Sequence, residues 1–202
     1  MTEQLNLELR TFTTVTGIDT TAHELVLGDE RLRYSKLVLA WGADVIRLNI
    51  EGDGQEFVHS INDLMDYRAF REALAGKKRV AIMGAGLIGC EFANDLRNGG
   101  VEVDVIAPSD TLMPGLLPPA AEAVKAELTE LGVGFHLETV VDRIDRAGDG
   151  VRLALANGET LEADLVISAV GLRPRTSLAE AAGIATNRGI VVNRALETSA
   201  AD

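Results

Sequence analysis

From residue 79 onward, short apolar runs, glycine turns and amphipathic segments follow one another along the chain. The predicted strands cover residues 80–83, 101–106, 133–137, 140–144, 151–156, 160–161 and 165–170. One predicted helix begins near Gly86 and carries apolar residues at a spacing of four, and another opens at Pro118. Both close at glycines, Gly99 and Gly132. This order predicts an α/β fold with a parallel sheet and an antiparallel meander that turns at Asn157-Gly158.

The first 75 residues have a weaker pattern. Strands are predicted at residues 7–15, 24–27 and 32–34, with a turn at 28–30 between the last two. Residues 37–40 are wholly apolar and predict a brief strand buried on both faces, in the middle of a larger sheet. A glycine-rich loop is predicted at 44–61, a helix from 61 or 62 to about 75, and a last strand at 190–192.

Composition narrows the possible functions. Hydrophobic residues make up 47% of the 202 residues and charged ones 25%, as in globular proteins that bury a core. The net charge of −12 repels phosphate backbones, which excludes nucleic acid as a partner. The longest apolar stretch, 80–90, is about half of the ~20 residues that cross a bilayer, so no membrane insertion is expected. The N-terminus lacks the pattern of a signal peptide, and a cytoplasmic location is the expectation.

Cysteine and histidine offer little chemistry. Cys90 is the single cysteine, so the sequence has no internal disulfide and no Cys-x-x-Cys redox pair, and we expect a small buried side chain there. His23, His59 and His136 have no ligand-like spacing, and no metal site is predicted. His136 lies on an apolar strand, where we expect a hydrogen-bonded core histidine.

The motif that carries chemistry is Gly84-x-Gly86-x-x-Gly89, because it joins a buried strand to a helix. The first glycine allows a tight turn, the second lets the backbone approach a pyrophosphate, and the third lets helix and strand pack closely. A phosphate then lies on the N–H groups and positive dipole of the helix N-terminus. The motif predicts a Rossmann-like dinucleotide-binding domain, with a structural glycine turn as the alternative.

The choice between NAD and NADP rests on which residues are absent after the second strand. The acid that commonly follows the second strand and bonds the ribose 2′-hydroxyl is replaced by Ala107, although Asp110 in the following loop can reach that region. A 2′-phosphate favours arginines there, and residues 107–123 contain no lysine or arginine. NAD is therefore favoured over NADP.

Several segments resemble the FAD-dependent pyridine nucleotide oxidoreductases, the two-domain flavoprotein reductases. The segments are Gly84-Ala-Gly-Leu-Ile-Gly-Cys-Glu-Phe-Ala93, Ile106-Ala-Pro108 with Leu112-Met-Pro114, Ser168-Ala-Val-Gly-Leu-Arg-Pro174 and Leu39-Ala-Trp-Gly-Ala43. The first three are similar to the NAD-binding domain of that family. The fourth is similar to the stretch at which the chain leaves the FAD domain. Together they cover nearly the whole chain.

The resemblance implies the cofactors NAD and FAD and a set of residues that bind them. These residues are Gly84, Ala85, Gly86, Leu87, Ile88, Gly89, Glu91 and Gly171 for NAD, and Ala40, Trp41 and Gly42 for FAD. Glu91 is expected near the nicotinamide and flavin rings, with a solvated helix acid as the alternative. Trp41 stands where the family more often has threonine, so a flavin contact and simple packing both remain open. No residue is assigned a catalytic role.

The resemblance also implies a division of the chain. Residues 1–43 are expected to be the C-terminal part of the first FAD-domain segment, and residues 44–75 a connecting segment with a helix. Residues 76–182 form the expected NAD-binding domain, and 183–202 begin the return to the FAD domain. The family's first glycine fingerprint and closing Gly-Asp motif are not found in the sequence. The chain is therefore interpreted as an interior fragment that is inactive alone, nearly colourless and weak in NADH binding.

The implied activity is hydride transfer from NADH to FAD, followed by single-electron transfer to a small iron–sulfur carrier, with rubredoxin as the expected partner. Three alternatives stay open. A ferredoxin reductase and an NADH oxidase have the same fold and differ in the electron acceptor. A nucleotide-binding module without redox turnover is the alternative of another class.

Overall fold

The computed structural model describes residues 2–201, with side chains from Gln4 onward. These residues divide into two compact units, one formed by residues 2–44 and 173–201 and the other by Val45–Leu172. The second unit begins upstream of residue 76 and ends before residue 182. The two compact units do not test the domain limits expected from the sequence, which remain predictions.

The first unit contains a short antiparallel sheet. Its strands and helices are α1 (Thr2–Leu5), β1 (Gly17–Asp19), β2 (Glu24–Leu27), β3 (Glu30–Arg33) and α5 (Ser177–Ala181). A further strand, β4 (Ala43–Val45), begins in the first unit and ends at the first residue of the second. The sheet has the order β1-β2-β3, and Leu25 lies opposite Ile18 on one side and Leu32 on the other. The turn predicted at residues 28–30 is confirmed, since Gly28 has a φ of 68° between β2 and β3.

The second unit holds the α/β pattern predicted from the sequence. Its elements are β5 (Val58–His59), α2 (Leu64–Ala73), β6 (Arg79–Met83), α3 (Leu87–Asn98), β7 (Glu102–Ile106), α4 (Pro118–Glu130), β8 (Gly134–His136), β9 (Val141–Ala147), β10 (Gly150–Leu155), β11 (Thr160–Ala163) and β12 (Leu165–Ser168), with a 3-10 turn at Gln55–Phe57. Strand β13 (Leu172–Pro174) then pairs with β4 as the chain passes from one unit to the other.

Five parallel strands make the central sheet, in the order β5-β12-β6-β7-β8. Strand β6 lies in the middle, with Val80 opposite Leu165 on one side and Val103 on the other. Strands β9, β10 and β11 form a separate antiparallel meander, in which Leu153 faces Ile144 and Leu161. The predicted combination of a parallel sheet and an antiparallel meander is confirmed.

Each face of the parallel sheet is covered by a different layer. On one face Val80, Ile82 and Val105 pack with helix residues such as Ala93 and Leu128. On the other face Ala81, Met83 and Val166 pack with meander residues, including Ile144 and Leu153. The strand side chains are therefore buried on both faces, which explains why β6 and β12 have apolar runs without alternation.

Three strands predicted outside this unit are wrong. Residues 7–15, 37–40 and 190–192 lie outside every strand of the structure. Residues 37–40 were expected to be buried on both faces, yet Val38 is 84% exposed. A strand needs a neighbouring strand to satisfy its backbone groups. Within residues 2–201 no sheet pairs with this run, so its apolar composition alone does not produce a strand.

Residues 2–201 contain neither a membrane-spanning helix nor a cluster of metal-ligating side chains. No helix there is both long enough and apolar enough to cross a bilayer. No group of three or more histidine, cysteine, aspartate or glutamate side chains has an arrangement that could hold a metal ion.

Candidate nucleotide-binding site

The glycine motif lies where the sequence predicts, at the carboxyl end of β6 and the start of α3. Gly84 has a φ of 112°, which L-residues rarely adopt, and a Cβ there would collide with the carbonyl oxygen of Ala169. A Cβ on Gly89 would collide with the carbonyl oxygen of Gly84 and meet Ile82 at 3.6 Å. Gly84 therefore permits the turn and Gly89 the close approach of helix and strand.

Gly86 differs from both of these glycines, because an added Cβ would meet no atom within 4 Å. Its φ of −76° is an ordinary value, so neither packing nor backbone conformation requires glycine. Gly86 is also the N-cap of α3, and no side chain caps that helix. The structure thus leaves open space beside the N-terminus of a 12-residue helix, and such a position suits an anion such as a pyrophosphate.

The rest of the turn is built to hold this shape. Ala85 is 3% exposed, and its carbonyl accepts a 2.7 Å hydrogen bond from the N–H of Met113. Leu87 and Ile88 begin α3 and are 62% and 43% exposed. Exposed apolar side chains in the first turn of a helix are available to contact a bound molecule.

A cleft opens next to the glycine turn at the carboxyl end of β12. It is lined by Val45, Ile61, Ile88, Phe92, Ile167, Ser168, Ala169, Gly171 and Leu172. The structure therefore brings Gly171 and Ile88 to one cleft. Gly171 is exposed, with a φ of 113°. Ser168, Ala169 and Phe92 also line this cleft. They belong to segments that resemble the NAD-binding domain, but they were not assigned to the site.

Glu91 and Cys90 lie on another side of α3. Glu91 is exposed and lines a groove of about 800 Å³ between α2, α3 and α4, together with Tyr67 and Val124. It does not line the cleft that contains Gly171. Cys90 is 3% exposed, as expected for a small core residue, and burial raises the pKa of its thiol. A buried thiol with a raised pKa is poorly reactive.

The three residues assigned to FAD lie in the first unit, where Arg175 holds Trp41. The indole Nε1 donates to the carbonyl of Arg175 at 2.7 Å, and Nη1 of Arg175 donates to the carbonyl of Trp41 at 2.8 Å. Arg175 also pairs with Asp44 at 2.6 Å and lowers the pKa of that carboxyl. Ala40 is exposed, and Gly42 has a φ of 72° with no atom within 4 Å of an added Cβ. The positive φ of Gly42 favours glycine there whether or not a ligand binds.

His136 corrects another expectation. It was expected in the core, but its side chain is 20% exposed and bridges two acids. Nδ1 lies 2.9 Å from Glu159 and Nε2 lies 3.1 Å from Asp104. Burial alone would lower the pKa of His136, but the hydrogen bonds to Glu159 and Asp104 outweigh it and raise the pKa. The contact joins the turn between β10 and β11 to the edge of the parallel sheet.

A family model described as pyridine nucleotide-disulphide oxidoreductase matches residues 2–202. That match covers almost the whole chain.

The chain belongs to this family.

Individual members of the pyridine nucleotide-disulphide oxidoreductases are also similar to it. A rubredoxin-NAD(+) reductase from Alcanivorax borkumensis is 51% identical over 200 residues, which cover 98% of this chain and 52% of that protein. Another from Acinetobacter baylyi is 49% identical over 211 residues, covering 100% of this chain and 54% of that protein. The chain thus spans about half the length of the curated relatives it matches.

A solved member of the family gives the same result for the fold. The structure of a ferredoxin reductase from Rhodopseudomonas palustris superposes with a TM-score of 0.87 at 30% identity, covering 98% of this chain and 50% of that one. The α/β fold with its parallel sheet and meander is therefore that of the pyridine nucleotide-disulphide oxidoreductases.

Proposed function

We propose that the glycine turn between β6 and α3 binds NADH through its pyrophosphate. The observation that carries this proposal is the open space at Gly86, since neither packing nor a positive φ explains a glycine there. The uncapped N-terminus of α3 supplies N–H donors and a positive dipole at the same place. Gly84, Ala85, Leu87, Ile88 and Gly89 are assigned to this contact.

The nicotinamide ring is proposed to lie over the mouth of the cleft beyond the turn, whose enclosed volume of about 40 Å³ is smaller than the ring itself. Ile88 and Phe92 offer apolar surface, and Gly171 lets the ring approach the backbone. Glu91 is proposed to lie near the nicotinamide and flavin rings. This assignment stays a prediction, because Glu91 lines the groove on another side of α3 and does not line the cleft. These residues bind and orient the ring and are not assigned a proton or electron transfer of their own.

FAD is proposed to be held in part by Ala40, Trp41 and Gly42. The family match and the fixed indole of Trp41 support this assignment. When bound, the flavin supplies the chemistry that accepts a hydride and releases single electrons. The part of this chain is to position the nicotinamide and to keep Trp41 in place through Arg175.

The proposed electron acceptor is a small iron–sulfur carrier, and rubredoxin is the leading candidate. The names of the two relatives at 51% and 49% identity support rubredoxin. The 30% identical ferredoxin reductase keeps a ferredoxin as the second candidate. An NADH oxidase and a nucleotide-binding module without redox turnover remain alternatives, and they predict no reduction of either carrier. A cytoplasmic location is part of the proposal, and the single cysteine gives no disulfide that an oxidising compartment would form.

Titration calorimetry with NADH tests the nucleotide site. A Cβ added at Gly86 meets no atom within 4 Å, so Gly86→Val is expected to keep the fold, with at most a small loss of melting temperature, while NADH affinity falls at least about tenfold. Gly189→Val is the control in the other unit, because a Cβ there meets only Pro174 at 3.7 Å. Equal NADH affinity of the wild type and a folded Gly86→Val variant would contradict the proposal.

Because the chain alone is expected to be inactive, the acceptor is tested with the full-length protein, to which FAD, NADH and either rubredoxin or a ferredoxin are added while reduction of the carrier is followed. Faster reduction of rubredoxin supports the leading candidate, and faster reduction of the ferredoxin supports the second. NADH binding without reduction of either carrier would favour the nucleotide-binding module.

A further inference from the structure

The carboxyl end of β7 lacks the acid that bonds the adenosine ribose in many dinucleotide-binding folds. Ala107 follows the strand, and its side chain is 2% exposed and has no polar atom. Its backbone groups are also engaged. The N–H donates to the carbonyl of His136 at 3.0 Å, and the carbonyl accepts from Thr139 at 3.2 Å. An acceptor for the ribose hydroxyl therefore has to come from another residue.

The loop formed by residues 107–113 is anchored at both ends. Near its start the carbonyl of Ser109 accepts a 3.1 Å hydrogen bond from the N–H of Glu138. Near its end Leu112 is completely buried, and Met113 donates to the carbonyl of Ala85 at 2.7 Å. Ala85 belongs to the glycine turn. The loop is thus held directly against the segment that is proposed to receive the pyrophosphate.

Asp110 lies on this loop with its side chain exposed. Within residues 2–201 its carboxylate makes no hydrogen bond and no ion pair. Residues 107–123 contain no lysine or arginine that could neutralise it or pair with a phosphate. A charged acceptor with free lone pairs therefore lies on a fixed loop beside the glycine turn.

We propose that Asp110 selects NADH over NADPH. Its carboxylate accepts a hydrogen bond from the 2′-hydroxyl of the adenosine ribose and repels the 2′-phosphate of NADPH. The role of the missing strand-end acid is thereby taken by a residue three positions further along the chain. Asp110 is a specificity-determining residue and takes no part in hydride transfer. The proposal rests on the proposed function, because it needs NADH to bind along the glycine turn.

The experiment measures the affinities of three probes by titration calorimetry: NADH, NADPH, and NADH that lacks the adenosine 2′-hydroxyl. The wild-type chain is compared with Asp110→Asn and with the control Glu138→Gln. Glu138 is an exposed acid on the segment that contacts Ser109, so its variant removes the same charge close by. Because Asp110 is exposed, its variant is expected to fold, which the melting temperature checks.

In the wild type, loss of the 2′-hydroxyl is expected to weaken binding about tenfold, as for a hydrogen bond to a charged group. In Asp110→Asn that difference is expected to vanish, and the preference for NADH over NADPH to fall about tenfold. Glu138→Gln is expected to behave as the wild type. The comparison isolates the contact between Asp110 and the hydroxyl as a double-mutant cycle does.

Four results would overturn the proposal. Equal cost of losing the hydroxyl in the wild type and in Asp110→Asn shows that Asp110 is not the acceptor. Loss of discrimination in Glu138→Gln alone assigns the role to Glu138. Absence of NADH binding by the folded wild type would contradict both the proposed function and this inference. NADH binding with the same preference over NADPH in the wild type and in Asp110→Asn would contradict this inference alone.

Discussion

At the scale of single residues, the motif assigns a different role to each of the three glycines of the turn. Gly84 has a positive φ and Gly89 has no room for a Cβ, whereas Gly86 has both an ordinary φ and free space. Two glycines are thus required by the protein, and the third is assigned to the proposed ligand. This difference can be measured, because stability and binding respond to different substitutions.

Gly84→Ala and Gly89→Ala are each expected to lower the free energy of unfolding by about 1–3 kcal/mol, since one adds backbone strain and both create a collision. Gly86→Ala is expected to lower it by less than about 1 kcal/mol, because it creates no collision and costs only the N-cap preference for glycine over alanine. Denaturant unfolding of the three variants measures these values. A loss of stability in Gly86→Ala equal to that of Gly84→Ala would contradict the assignment of Gly86 to a ligand.

His136 gives a pH dependence at the same scale. Its pKa in the folded protein is raised above the ordinary value of 6.5, so its contribution to stability is fully present below about pH 6.5 and is lost as the pH rises through the raised pKa. Because the side chain of Glu159 is 55% exposed and that of His136 is still 20% exposed, solvent screens the pair and the contribution is at most about 1 kcal/mol. Unfolding of His136→Gln at pH 6 and pH 8 is expected to show a smaller pH dependence than that of the wild type. An unchanged dependence would show that the bridge to Asp104 and Glu159 does not stabilise the fold.

The sequence allowed the glycine roles to be predicted because each follows from backbone geometry in a strand–turn–helix setting. It did not allow the His136 bridge to be predicted, because Glu159 lies 23 residues further along and meets His136 through the meander. Arg175 was missed for a similar reason, since its contact with Trp41 spans 134 residues. Contacts of this kind depend on the folded topology, which single residues do not indicate.

At the scale of elements, the meander matters because it covers one face of the parallel sheet. Ile144 is 0% exposed and packs with Ala81, Met83 and Val166. Ile144→Ala is expected to lower the free energy of unfolding by about 2–5 kcal/mol through a cavity. Val140→Ala is the control, because Val140 is 42% exposed, and less than about 1 kcal/mol is expected there. Similar losses in both variants, measured by denaturant unfolding, would show that the meander does not form this layer.

The hydrogen bonds between Trp41 and Arg175 join the segment that leaves the first unit to the segment that returns to it. Trp41 is the single tryptophan of the chain, so its fluorescence reports on this contact alone. Arg175→Gln keeps the backbone carbonyl that accepts from the indole, but it removes the hydrogen bond from the guanidinium to the carbonyl of Trp41 and the ion pair with Asp44. Because Trp41 is then held less tightly and becomes more hydrated, its emission is expected to shift to longer wavelength. Arg173→Gln removes an equally exposed arginine that makes no ion pair among residues 2–201, and it should leave the emission unchanged. The same spectrum for both variants would argue against the contact.

Elements with a buried partner were predicted well, and elements without one were not. Strand β6 and helix α3 could be predicted because packing on both sides produces a repeated apolar pattern. The run at 37–40 has the same apolar composition but no neighbouring strand within residues 2–201. Burial, and not composition alone, therefore decides whether such a run becomes a strand.

At the scale of the whole molecule, the family match spans both compact units, while the residues of the proposed nucleotide site lie within Val45–Leu172. The parallel sheet presents its carboxyl ends to the glycine turn, the loop with Asp110 and the cleft at Gly171. These three features belong to one edge of one sheet, as expected for a dinucleotide site in this type of fold. The assignments to FAD and to the electron carrier are further steps, and both depend on nucleotide binding at this edge.

The most direct test of that claim is titration of the isotopically labelled chain with NADH while the backbone amide signals are followed by NMR. The signals of residues 84–89 are expected to shift in a saturable manner, and those of the meander residues Ile144 and Leu153 to stay in place. A folded chain whose signals at residues 84–89 do not move at saturating NADH would contradict the account.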